Sequence, residues 1–411
     1  MNNFLAKDST KKVLSSLISI LIGLVFGSVL VFIVGISKDT ISFKGAWEGV
    51  RIILFGMFVT GRNSVGALTS GFNGVNWGDM LYRSTPLIMT GLSVAVAFKT
   101  GLFNIGASGQ FLMGTLASLV VALSIPTSSV PAWLVWILAF LAALIAGALW
   151  GAIPGLVKAV FNINEVIACI MTNWIAANLV TWFFDGSVFC NSEEYGKMGY
   201  IYKTSHNGVS TFKMGLDKIF KGSQINAGII IAILFAIAMY ILMNKTTLGY
   251  QLKACGSNRF AAKYAGIKDK RNIVLSMAIS GALAAGGAAL YHLSGNTEFF
   301  WSTYQALPAE GFNGIPVALL ALNNPIGVIF AAAFMAILKV IGQILPKYTA
   351  YNEYITDVII AVIVYLSAFS LVIRLWLDKR FKSKEANVNA EVTDNKTEET
   401  VAVENTEKEA R

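Results

Sequence analysis

The feature that most constrains this chain is a series of apolar blocks, most of them roughly 18 to 23 residues long, the length at which a helix covers a hydrocarbon core about 30 Å thick. They fall at 13–36, 81–98, 103–123, 132–156, 165–184, 227–243, 273–292, 312–322, 326–344 and 356–375. Most are apolar all round instead of along one face, so a water-soluble helical bundle does not accommodate them. Only 13% of the residues are charged, about half the share usual in soluble domains. The expected fold is all-α, a polytopic transmembrane helical bundle of about ten spans.

One block is weaker than the others. Residues 312–322 are too few to cross alone and are flanked by glycine and proline, which suits a re-entrant or broken helix lining a cavity. Block 13–36, preceded by Lys7, Lys11 and Lys12, is too long for a cleaved signal and lacks a small-residue cleavage site, so 1–36 reads as a retained signal-anchor helix. Residues 37–80 read as an extracytoplasmic segment in which 52–59 lies in the membrane interface, and 81–380 as the transmembrane domain. Residues 381–411, rich in Glu, Asn and Thr, read as a disordered acidic tail.

The net charge of +9 is distributed as membrane topology, not as a nucleic-acid surface. With Lys7, Lys11 and Lys12 inside, the loops on that side carry Lys99, Lys158, the run Lys245, Lys253, Arg259, Lys263, Lys268, Lys270 and Arg271, and then Arg374, Lys379, Arg380, Lys382 and Lys384. The opposite loops are nearly balanced, so both termini are expected to be cytoplasmic. Cys169, Cys190 and Cys255 are far apart, and His206 and His292 have no cluster of ligands or titratable partners in sequence, so neither a metal site nor a catalytic triad is expected. The phosphate-binding pattern G-x-x-x-x-G-K-[ST] is absent, so no nucleotide cofactor is expected on this chain.

Polar groups inside spans are costly unless they face protein or a water-filled cavity. Asn104, Gln110, Glu165, Asn173, Glu310 and Asn313 are therefore candidates for a translocation pathway, and equally for hydrogen bonds between helices. Gly106, Gly109, Gly281, Gly286 and Gly287 read as packing positions. Lys339 reads as snorkelling to the interface. Trp77, Trp133, Trp136, Trp182 and Trp301 fit an interfacial belt, while Phe103, Phe312 and Tyr304 are the aromatics on which a flat ligand could stack. The basic loop 245–271 is either an ordinary cytoplasmic loop or a docking element, a helix along the membrane on which Ala261, Ala262 and Ala265 make a shallow surface.

The stretches LFNIGASGQFLMGTLA from Leu102, GYQLKACGSNRFAAKYAGIKDK from Gly249 and GFNGIPVALLALNNPIG from Gly311 resemble the permease subunits of the ABC importer family that includes ribose and other simple-sugar permeases and the nucleoside permeases. The resemblance runs from about 81 to 375. It implies a type II-like importer permease that is powered by a separate cytoplasmic ATPase, receives substrate from an extracytoplasmic binding lipoprotein, and pairs with a second permease subunit, a heterodimer in the nucleoside branch that the overall wording favours over the sugar branch. It implies ATPase coupling at Gly256, Ala261, Ala262, Tyr264 and Gly266, and a pathway past Asn104, Gln110, Asn173, Phe312 and Asn313. A secondary transporter, needing an intramembrane carboxylate, is the rival from another class.

Overall fold

The computed structural model describes residues 8–37, 41–191, 193–197, 199–300, 306–352 and 354–367. Lys7, Trp301, Tyr304, the cations from Arg374 to Lys384 and the tail 381–411 lie outside the described residues, as do both termini. The chain divides into two compact units, 28–360 and, from its two ends, 1–27 with 361–411. In the smaller unit the first helix, α1 (Asp8–Ile36), and the last, α14 (Ile355–Ser367), contribute their described portions, and a Cβ on Gly23 would lie 2.8 Å from Ile363 Cγ1.

The larger unit begins with α2 (Phe43–Phe55), the hairpin β1 (Val59–Arg62) and β2 (Leu68–Ser70), and α3 (Gly74–Lys99). Then come α4 (Ala107–Ser124), α5 (Ala132–Phe161), α6 (Glu165–Phe184), β3 (Tyr200–Ile201), the short α7 (Leu216–Ile219) and α8 (Gly228–Lys245). It continues with α9 (Thr247–Ser257), α10 (Arg259–Tyr264), α11 (Asp269–His292), β4 (Phe299–Phe300), α12 (Ala309–Leu320) and α13 (Pro325–Tyr348). Among the described residues seven helices, α3, α4, α5, α6, α8, α11 and α13, are long and apolar enough to cross a membrane. Of the ten expected spans, α12 has only 12 residues, roughly 18 Å, and does not cross alone.

Asparagine side chains punctuate the helices. Asn73, Asn164, Asn258 and Asn324 each cap a helix by accepting from a backbone N–H one turn in. At α13 the cap is followed by Pro325, whose missing N–H falls where none is needed. Leu322 and Asn323, with φ of 50° and 56°, reverse the chain between α12 and α13.

Helices α3 and α11 form the centre, with 83% and 72% of their apolar windows buried, against 33% for α5, α6 and α8, whose Leu149, Phe161, Met171 and Leu234 point outward. Side-chain size sets how α5 and α11 cross: Gly147, Gly151 and Gly155 recur every fourth residue along α5 and meet Gly281 and Met277. A Cβ on Gly151 would lie 3.0 Å from the Gly281 α-carbon, and one on Gly155 would lie 3.0 Å from Met277 Cβ. Where lipid replaces water, such close backbone approach is the main attraction between helices.

One end of the bundle carries the long excursion 185–226. It is tied down by Trp136 Nε1 to Thr211 Oγ1 (3.0 Å), Asn207 Nδ2 to the carbonyls of Ala122 and Ile125 (2.7 Å each), Gln224 N to Asp79 Oδ1 (2.8 Å), and the β3–β4 pairing. Lys197 Nζ lies 2.8 Å from Glu298 Oε1 and 2.5 Å from Glu194 Oε2, with Lys203 Nζ 3.4 Å from Glu298. The Lys197 ammonium holds both carboxyls below their usual range, and hydrogen bonds to them hold Lys197 above its own. At the same end α2 exposes Phe43, Trp47, Leu54 and Phe55 and buries Ile52 and Ile53, a two-faced helix suited to the interface. Arg62 of β1 donates to Glu48 Oε2 (2.6 Å) and to the Tyr348 carbonyl at the last residue of α13 (2.5 Å). Helix α3 begins at Gly74, so its first turns fall inside the segment expected to lie outside the membrane.

Candidate functional site

The stretch Leu102–Ile105 has no regular structure and re-enters the bundle ahead of α4, so its polar groups need partners inside. Asn104 supplies them. Its Nδ2 donates to Gln110 Oε1 (2.8 Å), Ser280 Oγ (2.8 Å) and Ser93 Oγ (3.2 Å), and Gln110 Nε2 returns a bond to Asn104 Oδ1 at 3.1 Å. Asn173 of α6 accepts from Gly109 N at 2.8 Å and donates to the Ile105 carbonyl at 3.0 Å. All three amides are buried. They fasten the start of α4 to α3, α6 and α11, and Ser93 and Ser280 complete the network without any signal in the sequence patterns.

Helix α12 starts in the same region. Ser108 Oγ donates to the Pro308 carbonyl at 2.8 Å, and a Cβ on Gly311 would fall 2.7 Å from Ser108 N. Gly314 lies on Thr90 of α3, where a Cβ would meet the Thr90 carbonyl at 2.5 Å. The first turn of α12 therefore stands inside the bundle, beside the start of α4, and Phe312 and Asn313 are half-buried there. The helix is short, as expected, and ends at Leu320.

At the opposite end from the 185–226 excursion, loop 245–271 folds as α9 and α10. Thr246 and Asn258 cap them, Thr246 Oγ1 accepting from Gly249 N (3.1 Å) and Asn258 Oδ1 from Phe260 N and Ala261 N (3.0 Å each). Arg259 Nε to Asp269 Oδ2 at 2.7 Å closes the loop on α11. Ala261 and Ala265 are exposed as expected, but Ala262 is only 4% exposed and belongs to the loop's own core, since the helical turn that presents 261 and 265 points 262 inward. The projecting groups are Phe260, 77% exposed, and Tyr264, 94% exposed. Gly256 is a packing position facing the Lys99–Gly101 backbone, and Gly266, at φ 79° with open space around it, turns the chain from α10 to α11.

Other expected residues are placed as follows. Glu165 pairs with Lys158 Nζ at 3.0 Å, at the ends of α6 and α5. Phe103 stacks on Phe98 with ring centroids 5.2 Å apart. Trp133 and Trp182 are exposed as a belt requires, whereas Trp136 is buried against Phe140, because its indole N–H is taken by the loop residue Thr211. Cys169 and Cys255 are buried and all three cysteines are unpaired.

A model of the family described as "Branched-chain amino acid transport system / permease component" matches residues 76–368, which runs from α3 to the end of the described chain. The chain belongs to this permease family. The permease is 34% identical over 371 residues to the guanosine ABC transporter permease protein NupP of Bacillus subtilis (strain 168), covering 90% of this chain and 97% of that protein. It is 34% identical over 381 residues to the nucleoside ABC transporter permease protein NupB of Lactococcus lactis subsp. cremoris (strain MG1363), covering 92% and 97%. The glucose ABC transporter permease protein TsgB13 of Haloferax volcanii is 33% identical over 266 residues, 64% of the permease and 68% of that protein. The permease is thus a multi-pass integral membrane protein and a transport component, and α1, α2 and the hairpin precede the part it shares with the family model.

Proposed function

We propose that the permease forms part of the translocation pathway of an ATP-driven importer for nucleosides. The observation that carries this reading is identity of 34% along nearly the whole length of two proteins named for guanosine and nucleoside transport. As a permease component it works with an ATPase and a second permease subunit. In this reading the second subunit is a different chain, substrate arrives from an extracytoplasmic binding lipoprotein, and ATP is bound by the partner ATPase alone.

The ATPase docks on α9 and α10, with Tyr264 and Phe260 as the projecting contacts, Ala261 as part of the surface, and Gly256, Ala262 and Gly266 shaping the loop beneath. The pathway passes Phe312 and Asn313 at the start of α12. Asn104, Gln110 and Asn173 hold the adjoining wall, and a neutral polar solute suits this uncharged set. In the cycle, ATP-driven closure of the ATPases pushes α9 and α10, and the rigid α11 behind them carries the displacement inward.

Uptake of radiolabelled guanosine by cells with and without the gene, in the presence of excess unlabelled ribose, tests the function. Loss of uptake on deletion, insensitive to ribose, is the expected outcome. Unchanged guanosine uptake with loss of glucose or ribose transport would move the substrate to sugars, the reading that the resemblance to TsgB13 supports.

A further inference from the structure

Three charged side chains enter the interior of the bundle from three helices: Arg83 of α3, Glu310 in the first turn of α12, and Lys339 of α13. Each is half-buried. Arg83 stands roughly 14 Å inside the Gly74 end of α3 and Lys339 roughly 14 Å inside the Tyr348 end of α13, at 1.5 Å per residue. These two helix ends lie together, since the hairpin that bonds Tyr348 also bonds the side chains of Asn73 and Asn76 through Val59. Glu310 lies one turn before Gly314, which packs on Thr90 of α3.

Ionisable groups at such depth are rare and are expected to find partners or to serve transport. These three stop short of pairing. Glu310 and Arg83 both act electrostatically on Lys339 and on Tyr291 of α11, as does Asp357 of α14 on Lys339, so they share one neighbourhood. Yet among the described residues no ion pair closes between Glu310 and either cation. The Nε–H of Arg83 is buried with no hydrogen-bond partner. Beside them the rings of Tyr82 and Tyr291 stack at 5.9 Å, and the Tyr82 hydroxyl is fixed by Ser294 (3.1 Å) and Thr297 (2.5 Å). Two donors and an acceptor from three helices thus share one neighbourhood without closing an ion pair, beside a stacked tyrosine pair.

We propose that Arg83, Glu310 and Lys339 contact the substrate in the transport pathway, Glu310 accepting from the sugar hydroxyls of a nucleoside and the two cations donating to its base and ring oxygen. This rests on the nucleoside reading above. A neutral ligand with vicinal hydroxyls satisfies the carboxylate, and its acceptor atoms satisfy the orphaned guanidinium nitrogen, without bringing a further charge into the bundle.

The test uses the complete transporter in proteoliposomes, with ATP inside, and compares uptake of guanosine with that of 2′,3′-dideoxyguanosine. Absence of guanosine uptake by the wild-type transporter would refute the nucleoside reading itself, and this proposal with it. With wild-type uptake in hand, Glu310→Gln is expected to lower guanosine uptake roughly tenfold, the size of one hydrogen bond to a charged group, while leaving dideoxyguanosine uptake unchanged. Glu310→Asp, which keeps the carboxylate, should retain the wild-type ratio at a reduced rate. Arg83→Gln and Lys339→Gln should lower uptake of both nucleosides. An unchanged guanosine-to-dideoxyguanosine ratio in Glu310→Gln, or full uptake in both cation variants, would overturn the assignment.

Discussion

Gly151 and Gly281 meet across the α5–α11 crossing with no side chain between them, so that a Cβ on Gly151 would stand 3.0 Å from the Gly281 α-carbon. Replacing Gly151 with leucine forces the two backbones apart, and overpacking of this kind costs about 1–3 kcal/mol or more. Thermal unfolding of the purified permease in detergent is expected to show a clear fall in Tm for Gly151→Leu. Gly71→Ala, where the nearest atom to the added Cβ is Thr60 Cγ2 at 3.5 Å, should leave Tm unchanged.

Asn104 donates to Gln110, Ser93 and Ser280, and removing it strips Gln110 of both its bonds to the Asn104 amide in a buried site, while Ser93 and Ser280 keep their bond to each other. Asn104→Leu is expected to destabilise the fold by about 1–3 kcal/mol. The loss should appear in denaturant unfolding of the detergent-solubilised protein. In the proposed arrangement, with the amide holding the pathway wall, residual uptake by correctly inserted molecules should keep its wild-type KM.

Phe260→Ala and Tyr264→Ala should leave membrane insertion and Tm untouched, since both side chains project into open space, and yet reduce ATP-driven uptake at least tenfold. Ala262→Trp should do the opposite first and destabilise the loop, since position 262 is buried. Co-purification of the ATPase with each variant separates the two effects: weakened recovery with the aromatic variants, at normal permease yield, is the expected result.

The Lys197–Glu298 contact gives the 185–226 excursion a pH window. Hydrogen bonding to Lys197 lowers the Glu298 and Glu194 carboxyls, so their contribution is present above the ordinary carboxylate pKa and fades as pH falls through the lowered values, below about 4.5. The ammonium of Lys197 is raised, so its contribution is present below the ordinary lysine pKa and fades only as pH climbs above about 10.5. Proteolysis of the excursion, followed by mass spectrometry, should be slow and flat between these limits and accelerate at the acid end. Lys197→Met should weaken the acid dependence, leaving the part that Lys203 supplies at Glu298.

Seven of the spans were legible from length and polarity alone, because a helix in lipid must be apolar all round. Three things were not. The inward turn of Ala262 depends on the phase of a six-residue helix, which alternation of small residues does not report. Trp136 looked like a belt residue by its position near a helix start, but Phe140 and the loop residues Thr211 and Phe212, about 75 residues away, cover it. Arg83 was hidden because block 81–98 reads as apolar on average, and one arginine near its start looks like a boundary. The glycines at 147, 151 and 155 recur every fourth residue in the sequence, yet of this crossing only Gly281 reads as a packing position from the sequence.

The bond from Arg62 to the Tyr348 carbonyl makes the surface hairpin an external pointer for an internal helix. Any tilt or rotation of α13 during the cycle is carried by that guanidinium to β1 and β2, and Val65, 84% exposed at the turn between them, moves with it. A fluorophore on a cysteine placed at 65 would then read the state of the machine in real time from outside the membrane, with no label in the pathway.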